Sequence, residues 1–262
     1  MAKGFFTDTT LCIGCKACEV ACKQWNQLPE DGFHFTGMSY DNTIHLGAST
    51  WRHVAFIERP VALSNQDSGA FSWLFSSDVC KHCARAGCLE SCPTGAIMRT
   101  EFDSVYVQPD ICNGCGYCVV SCPFGVIDRR DDDGRAWKCT LCYDRLRENM
   151  QPACAKACPT ESIQFGELDE LRRYAHARVD QVHEHGMQEA YLYGADAESQ
   201  PGTEGLNAFF LLADKPEVYN LPPDPVTPSK QAGQTWGAMA AAALGLGLLA
   251  AGSVLLGRGG RP

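Results

Sequence analysis

The sequence has no excess of positive charge and no leading segment of the kind that directs secretion. Its 22 Lys and Arg residues against 31 Asp and Glu residues give a formal net charge of −9. This balance argues against a general nucleic-acid-binding protein, because such a protein needs a basic face. The N-terminus, Met-Ala-Lys-Gly-Phe-Phe-Thr-Asp, contains neither an apolar stretch nor a twin-Arg pair, so we expect no export signal in this chain.

The motifs of several common enzyme classes are also missing. The sequence contains no Gly-rich phosphate loop after a strand, no H-E-x-x-H and no G-x-S-x-G. These absences argue against a P-loop nucleotide hydrolase, a zinc protease of the H-E-x-x-H type and an α/β-hydrolase. The carboxylates are scattered or lie in the Asp131–Asp133 run, which is typical of a solvated turn. No substrate site is predicted in this chain.

Cysteine, in contrast, is unusually abundant. The chain has 16 Cys among 262 residues, about four times ordinary usage. Such a number indicates either disulfides or metal binding. The missing export signal weakens the disulfide explanation, and the spacing of the cysteines weakens it further.

The cysteines fall into four groups of four, and none is left over. The four groups are Cys12-x2-Cys15-x2-Cys18-x3-Cys22, Cys80-x2-Cys83-x4-Cys88-x3-Cys92, Cys112-x2-Cys115-x2-Cys118-x3-Cys122 and Cys139-x2-Cys142-x11-Cys154-x3-Cys158. Proline follows the last cysteine of the second, third and fourth groups. The run C-x2-C-x2-C-x3-C-P is the bacterial ferredoxin motif for [4Fe–4S] clusters. The spacing therefore predicts four such clusters.

Zinc is the alternative metal. Four-cysteine zinc sites use two C-x2-C pairs about 15–20 residues apart. Only the fourth group, with its gap of 11 residues, comes near that pattern. A membrane-tethered zinc scaffold remains the alternative from a different functional class.

In the ferredoxin motif the fourth cysteine ligates the other cluster of a pair, and we expect it to begin a helical turn. The second and third groups are separated by 19 residues, enough for one hairpin, so we expect these two to pair and the first to pair with the fourth. The alternative pairing of first with second would span 57 residues from Cys22 to Cys80. The expected ligand sets are set A, Cys12, Cys15, Cys18 and Cys158; set B, Cys80, Cys83, Cys88 and Cys122; set C, Cys112, Cys115, Cys118 and Cys92; and set D, Cys139, Cys142, Cys154 and Cys22.

Several segments outside the groups have readable patterns. Residues 97–107 predict a hairpin with its turn near Asp103, and residues 51–57, within an insertion over 23–79, predict a strand. An amphipathic helix is predicted over 167–185, followed by an apolar strand over 207–212. The Pro-rich stretch that ends at Pro228 predicts a stiff, extended linker.

The C-terminal tail is long and apolar enough to enter a membrane. From Trp236 to Gly257 the sequence has 22 residues and no charge, which is enough to span a bilayer as a helix. Its small residues, such as Gly247 and Ala251, favour close approach of a partner helix. We therefore expect a membrane anchor that packs against another subunit.

The charges around this tail predict its orientation. Arg258 and Arg261 follow the apolar run and only Lys230 closely precedes it, which favours a cytoplasmic C-terminus and a cluster domain on the other side. Such a domain would have to be exported folded, together with a partner that carries a twin-Arg signal. Without that partner, the domain would stay in the cytoplasm.

The motifs as a whole resemble a known family. Thr10-Leu-Cys-Ile-Gly-Cys-Lys-Ala-Cys18, Ala21-Cys-Lys-Gln-Trp-Asn26, Asn113-Gly-Cys-Gly-Tyr-Cys118, Lys138-Cys-Thr-Leu-Cys142 and Ala213-Asp-Lys-Pro216 are similar to the iron–sulfur (beta) subunit of respiratory, membrane-bound formate dehydrogenase. The resemblance covers nearly the whole chain. The cysteine motifs are shared with electron-transfer subunits of other reductases, whereas the Ala-Asp-Lys-Pro segment and the apolar tail favour the formate enzyme.

The resemblance implies an α+β fold of two interlocked bacterial-ferredoxin-like domains. It implies a non-catalytic electron-transfer subunit between two partners: a catalytic subunit with a molybdenum or tungsten pterin, which oxidises formate, and a membrane cytochrome b, which reduces quinone. It also implies an extracytoplasmic complex whose catalytic subunit carries the export signal. The same role in another molybdopterin or hydrogenase complex, or in a diffusing polyferredoxin, remains an alternative.

With the expected pairing, the sequence divides into four parts. Residues 1–79 and 139–166 would form the first ferredoxin-like domain, and residues 80–138 the second. Residues 167–232 would form an extension and linker, and residues 233–262 the transmembrane helix with a short tail.

Overall fold

The computed structural model describes residues 1–33, 43–60 and 71–258. Within these ranges the chain combines helices and short strands. The strands are β1 Lys3–Asp8, β2 Arg52–Pro60, β3 Phe71–Val79, β4 Ile97–Arg99, β5 Val105–Val107, β6 Asp128–Arg129, β7 Ala136–Trp137, β8 Ile163–Glu167, β9 Tyr191–Tyr193 and β10 Ala208–Leu212. The α-helices are α1 Ala17–Asn26, α2 Gly87–Glu90, α3 Tyr117–Val120, α4 Tyr143–Arg147, α5 Ala153–Lys156, α6 Leu168–Glu184 and α7 Pro228–Arg258, and a 3₁₀ helix covers Pro216–Tyr219.

The largest sheet joins the two ends of the cluster-bearing region. Its strand order is β8-β1-β10-β9. Strand β1 runs parallel to β10 and antiparallel to β8, while β9 is antiparallel to β10. Because β10 lies beyond the predicted boundary at residue 166, residues from the predicted extension are part of the same sheet as the N-terminus.

The two central strands are apolar because both faces of the sheet are covered. Every residue of β10 is buried, and so are Phe5 and Phe6 of β1. Phe6 belongs to a core that includes Leu168, Leu171 and Ala175 of α6, whereas Phe5 belongs to a second core that is rich in cysteines. The sheet thus separates α6 from the cysteines, and the helix and strand predicted over 167–185 and 207–212 are confirmed.

A matched pair of glycines tests this sheet. Gly4 and Gly166 lie opposite each other in β1 and β8, but a Cβ on Gly4 would lie 2.0 Å from the backbone oxygen of Asn207, whereas one on Gly166 would meet only Leu171 at 3.8 Å. We expect Gly4→Ala to lower the thermal unfolding midpoint by about 10 °C, since overpacking a rigid site costs about 3 kcal/mol. Circular dichroism measures the midpoint. Gly166→Ala is the control, and equal midpoints for the two variants would contradict the prediction.

Within the described ranges, three two-stranded antiparallel sheets surround the cysteine loops. The predicted hairpin over 97–107 is confirmed as β4 and β5, and Asp103 in its turn adopts a left-handed φ of 61°. The strand predicted over 51–57 is confirmed as part of β2, which pairs with β3 along its whole length. The remainder of the predicted insertion includes 34–42 and 61–70, which lie outside the described residues.

The prediction that the last cysteine of a group begins a helical turn is wrong. Helices α2, α3 and α5 end before Cys92, Cys122 and Cys158, and a turn follows each of these cysteines. The reason is the proline after each cysteine, because the residue before proline is disfavoured in the helical region. In the first group, which lacks that proline, helix α1 continues past Cys22.

The segment before the tail, which we predict to be a stiff, extended linker, packs against the domain. Tyr219, Leu221 and Thr227 are buried against the domain. The Tyr219 hydroxyl accepts a hydrogen bond of 3.2 Å from the backbone N–H of Ala213, and the Tyr193 hydroxyl donates to the backbone oxygen of Pro222. The apolar side chains between the prolines cover the core, so the segment packs instead of standing free.

Helix α7 begins at Pro228, five residues before the predicted boundary at 233. Among the residues that the structure describes, the segment Pro228–Ser253 of this helix is long and apolar enough to cross a membrane, with a mean hydropathy of 1.5. Its start is attached to α2, where the Ser229 hydroxyl is bonded to the Glu90 carboxylate. The predicted flanking residue Arg261 lies outside the described residues.

Candidate metal centres

The four cysteine groups share a backbone conformation that their sequences only partly reveal. In each group the second residue after the first cysteine has a positive φ: 68° at Gly14, 43° at His82, 73° at Gly114 and 60° at Leu141. Glycine adopts this conformation freely, whereas His82 and Leu141 pay a steric cost. The same loop is therefore built four times, although only the first and third groups have glycine at this position.

Backbone N–H groups point toward sulfur, one from a cysteine loop and one from strand β7. The N–H of Leu141 donates to the Cys139 sulfur at 3.4 Å, and the N–H of Ala136 donates to the Cys112 sulfur at 3.4 Å. Hydrogen bonds of this kind favour the thiolate form, which is the form that binds metal.

The tertiary structure brings the cysteines of set D together. Burial raises the pKa of the Cys22 thiol well above its ordinary value, and the neighbouring Cys154, Cys139 and Cys142 raise it further. Burial likewise raises the pKa of Cys142 to about 11, with Cys154 adding to the rise. A cysteine on α1 thus lies beside three that are more than a hundred residues later in the chain.

The cysteines of set B are equally close together. Burial raises the pKa of the Cys83 thiol well above its ordinary value, with further increases from Cys80, Cys122 and Cys88. The pKa of Cys88 rises to about 12 through burial, although the Lys138 ammonium lowers it in part. Cys122 belongs by sequence to the third group. Set B thus contains one cysteine from the other group of the pair, which is the pattern of the ferredoxin motif.

Set C follows the same arrangement, and so do three cysteines of set A. Burial raises the pKa of Cys118 to about 11, and Cys112, Cys115 and Cys92 increase it. Burial also raises the pKa of Cys12, to which Cys158 and then Cys15 contribute.

Pairs of cysteines connect neighbouring sets. Cys154 of set D lies close enough to Cys18 of set A to raise its pKa. In the same way, Cys80 of set B raises the pKa of Cys139 of set D, and Cys118 of set C raises the pKa of Cys88 of set B. These three pairs arrange the sets in a row in the order A, D, B, C.

The two ends of this row reach the surface. Cys15 of set A and Cys115 of set C are exposed, while the other cysteines are buried or half-buried. Large apolar side chains are exposed beside them. They are Ile13 and Val20 near set A, and Ile111, Tyr117 and Val120 near set C, where Val120 is 82% exposed.

Buried cations lie at the two junctions next to set D. Burial alone lowers the pKa of the Arg52 guanidinium, but the thiolates of Cys154 and Cys18 outweigh that effect and raise it. The same balance holds for Lys138, where Cys80 and Cys88 outweigh the effect of burial on the pKa. Metal-bound thiolates carry negative charge, so these cations suit the sets that they border. Sequence reasoning assigned a role to neither residue: Arg52 lies outside every cysteine motif, and Lys138 was noted only as the first residue of the motif Lys138–Cys142.

The cysteines fit [4Fe–4S] clusters by their chemistry. All 16 are free of disulfides, they lie close together in groups, and some of them accept N–H groups or lie near buried cations. Within the described ranges, no three His, Cys, Asp or Glu side chains are close enough to hold a single metal ion. A [4Fe–4S] cluster is held by four cysteine thiolates and therefore matches thiolates that are separated from one another.

Comparisons with known proteins identify the domains. Two family models match, each described as a 4Fe-4S dicluster domain, one over residues 11–96 and the other over residues 71–168. The predicted iron–sulfur chemistry is thereby confirmed, as are two ferredoxin-type domains. The two matched ranges overlap and together include all four cysteine groups.

The chain is also similar to curated proteins over most of its length. It is 41% identical to the formate dehydrogenase iron-sulfur subunit of Haemophilus influenzae, over 83% of this chain and 68% of the relative. It is 39% identical to the iron-sulfur subunit of the nitrate-inducible formate dehydrogenase of Escherichia coli, over 83% and 71%. An anaerobic dimethyl sulfoxide reductase chain of Escherichia coli is 33% identical over 65% of this chain and 76% of that protein. The chain therefore belongs to the family of formate dehydrogenase iron–sulfur subunits, and its role is that of a non-catalytic, electron-transfer subunit of an oxidoreductase.

Proposed function

We propose that this chain is a four-cluster electron relay and that sets A, B, C and D each ligate one [4Fe–4S] cluster. The observation that carries the proposal is the row of four cysteine sets whose two ends alone have an exposed cysteine. A protein that only stored metal would have no need of a row with two accessible ends. When bound, [4Fe–4S] clusters supply one-electron redox chemistry.

The residues of this chain hold the clusters and exclude water. Cys22, Cys80 and Cys139 are buried, so the middle sets, D and B, lie largely away from solvent. The apolar neighbours Val54, Val126 and Leu146 share the cysteine-rich core. Shielding lowers the local dielectric constant, which strengthens the influence of nearby charges.

The two ends of the row face two different partners in this proposal. Helix α7 begins beside α2, since Pro228 lies against Gly87, and Gly87 in turn lies against the backbone of Ser121, just after α3. Helix α3 carries Tyr117 and Val120 near set C. Set C is therefore the end nearest the membrane, and a membrane cytochrome b that reduces quinone would dock there.

Set A is the opposite end of the row. It would face a catalytic subunit that carries a molybdenum or tungsten pterin and oxidises formate, and the exposed Ile13 and Val20 provide an apolar contact surface for it. The relatives named for formate dehydrogenase support this choice of substrate. The relative from dimethyl sulfoxide reductase makes another molybdopterin or hydrogenase complex the second candidate.

The proposed architecture keeps two interlocked ferredoxin-like domains. The first comprises residues 1–79 and 139–166, and the second comprises residues 80–138. An extension begins at residue 167 and ends where the membrane helix α7 begins, at Pro228. Contacts between Cys12 and Cys158 and between Cys88 and Cys122 support the interlocking. The chain would be a single-pass protein of the bacterial cell membrane, with its cluster domain outside and exported together with the catalytic partner.

The proposed electron donor, a formate-oxidising subunit, is tested by adding formate to the complex. The chain is purified anaerobically from membranes with its co-purifying subunits, and low-temperature EPR spectra are recorded after adding formate and, separately, dithionite. We expect formate alone to produce reduced [4Fe–4S] signals, with about 16 iron and 16 sulfide atoms per chain.

Other outcomes separate the alternatives. If only dithionite reduces the clusters, the relay serves a different catalytic partner. If zinc replaces iron at about four ions per chain, the four-cluster proposal fails.

A further inference from the structure

Arg52 is the largest side chain that is fully buried in the described part of the molecule. It is the first residue of β2, and its exposed fraction is 1%. An arginine carries its positive charge at any physiological pH. A permanently charged group in this position is costly unless negative charge lies nearby.

The position of the guanidinium is well defined. Its Cζ atom lies 4.8 Å from the centre of the Phe5 ring. Its Nη1 atom donates to the Ser77 hydroxyl at 3.0 Å and to the Ser77 backbone oxygen at 3.3 Å. The Ser77 hydroxyl lies 3.2 Å from the Cys18 sulfur, so a short chain of contacts links Arg52 to set A.

The remaining donors of Arg52 have no partner in the protein. Among the described residues, neither Nε nor Nη2 has a hydrogen-bond acceptor, and no carboxylate forms an ion pair with this guanidinium. The main groups around it that would become negative on binding metal are cysteines. They are Cys154, Cys18, Cys139 and Cys22, three from set D and one from set A. The two unpartnered nitrogens, which carry three N–H groups, need an acceptor at the junction of these sets, and metal-bound sulfur is one.

We propose that Arg52 is an electrostatic tuning residue, whose fixed charge at the junction of sets A and D raises the reduction potential of the cluster held by set D and, to a smaller extent, of that held by set A. Reduction adds one negative charge to a cluster, and a buried cation stabilises that charge because water does not screen it. This inference rests on the proposed function and deepens it. It assigns to a residue outside the cysteine motifs a part in controlling where the electron resides.

A purely structural role would make a different prediction. If Arg52 served only to pack against Phe5 and to hold Ser77, a neutral side chain of similar size would leave the potentials unchanged. The charge must therefore be varied separately from the shape, for which Arg52→Lys, Arg52→Gln and Arg52→Met form a suitable series.

The experiment is a redox titration of the purified complex followed by EPR. For Arg52→Met we expect the ratio of reduced to oxidised set D cluster at a given potential to fall about tenfold, which is about 59 mV for a one-electron couple. We expect Arg52→Lys to keep most of the wild-type potential, and the set C cluster, at the far end of the row, to stay unchanged in every variant.

Arg129 provides a matched control for the removal of an arginine charge. It lies beside set C, where its Nη1 atom donates to the backbone oxygen of Gly114 at 3.2 Å, but it is exposed. Solvent screens an exposed charge, so Arg129→Met should leave the set C potential close to that of the wild type.

The outcomes separate the two proposals. Fewer than about 16 irons in the wild-type chain would overturn the four-cluster function itself. Full iron with unchanged set D potential in Arg52→Met, or an equal shift in Arg52→Lys and Arg52→Met, would overturn the role of Arg52. If Arg52→Met does not assemble its clusters, the comparison of Arg52→Gln with Arg52→Lys separates charge from shape in the same way.

Discussion

Replacing Cys92 by Ser is expected to damage the cluster held by set C and to leave the cluster held by set B intact. Cys92 belongs by sequence to the second group, but its neighbour in space is Cys118 of the third group. Each cluster takes its fourth ligand from the other group of the pair. Removing Cys92 of the second group should therefore damage the cluster that is held mainly by the third group. Cys92→Ser should lower the iron content from about 16 to about 12 atoms per chain.

Low-temperature EPR of the anaerobic complex identifies which cluster is lost. The matched control is Cys122→Ser, which exchanges the roles of the two groups. Cys122 lies close enough to Cys83 of set B to raise its pKa. This variant should therefore lose the set B cluster and keep the set C cluster. A spectral loss in Cys92→Ser that is confined to the set B cluster would mean that ligation is not crossed. Transfer of electrons from the catalytic side to quinone should fall in both variants, since both sets lie in the row.

Removing residues 231–262 is expected to release the chain from the membrane. The shortened chain keeps the contacts that anchor the start of α7, namely Ser229 with Glu90 and Lys230 with Glu204 at 2.7 Å. It loses most of the apolar segment that is long enough to cross a bilayer. We expect the fraction that stays with carbonate-washed membranes to fall about tenfold or more, because a spanning helix is held far more strongly than any surface contact.

The control for this truncation preserves length and apolar character while changing the surface of the helix. Substituting a Leu-Ala run of equal length for residues 236–257 should keep the chain in the membrane, because about 20 apolar residues suffice to span it. The same substitution removes the small residues that favour helix contacts, so recovery of the membrane partner should decrease. A truncated chain that still sediments with washed membranes, in cells lacking the partner subunits, would contradict the anchor.

The predictions succeeded for segments whose structure depends on residues that are close to one another in the sequence. The hairpin over 97–107 is confirmed because a turn with Asp103 in a left-handed conformation joins two apolar runs. Helix α6 is confirmed because Leu168, Leu171 and Ala175 recur at helical spacing. The family resemblance succeeded for the same reason, since cysteine spacing is a local property of the chain.

The predictions failed where packing overrides a local preference. The stretch with Pro222 and Pro225 is typical of a stiff linker, yet Tyr219 and Leu221 bury themselves in the core of the main sheet. The composition of a segment indicates how stiff it is. It does not indicate whether the rest of the fold leaves an apolar surface on which the segment can pack. Likewise, α7 begins at Pro228 and not at 233 because contacts with α2 extend the helix.

By itself, the sequence determined the iron–sulfur chemistry, the division of the cysteines into four groups and the apolar tail. Each of these depends on residues that are near one another in the chain, where spacing constrains which ligands can meet. Only the tertiary structure decided the order of the sets, the exposure of Cys15 and Cys115 at the two ends, and the burial of Arg52 and Lys138 at the junctions. These features join residues such as Cys22 and Cys154, which are distant in the chain and are brought together when their apolar surroundings are buried in a common core.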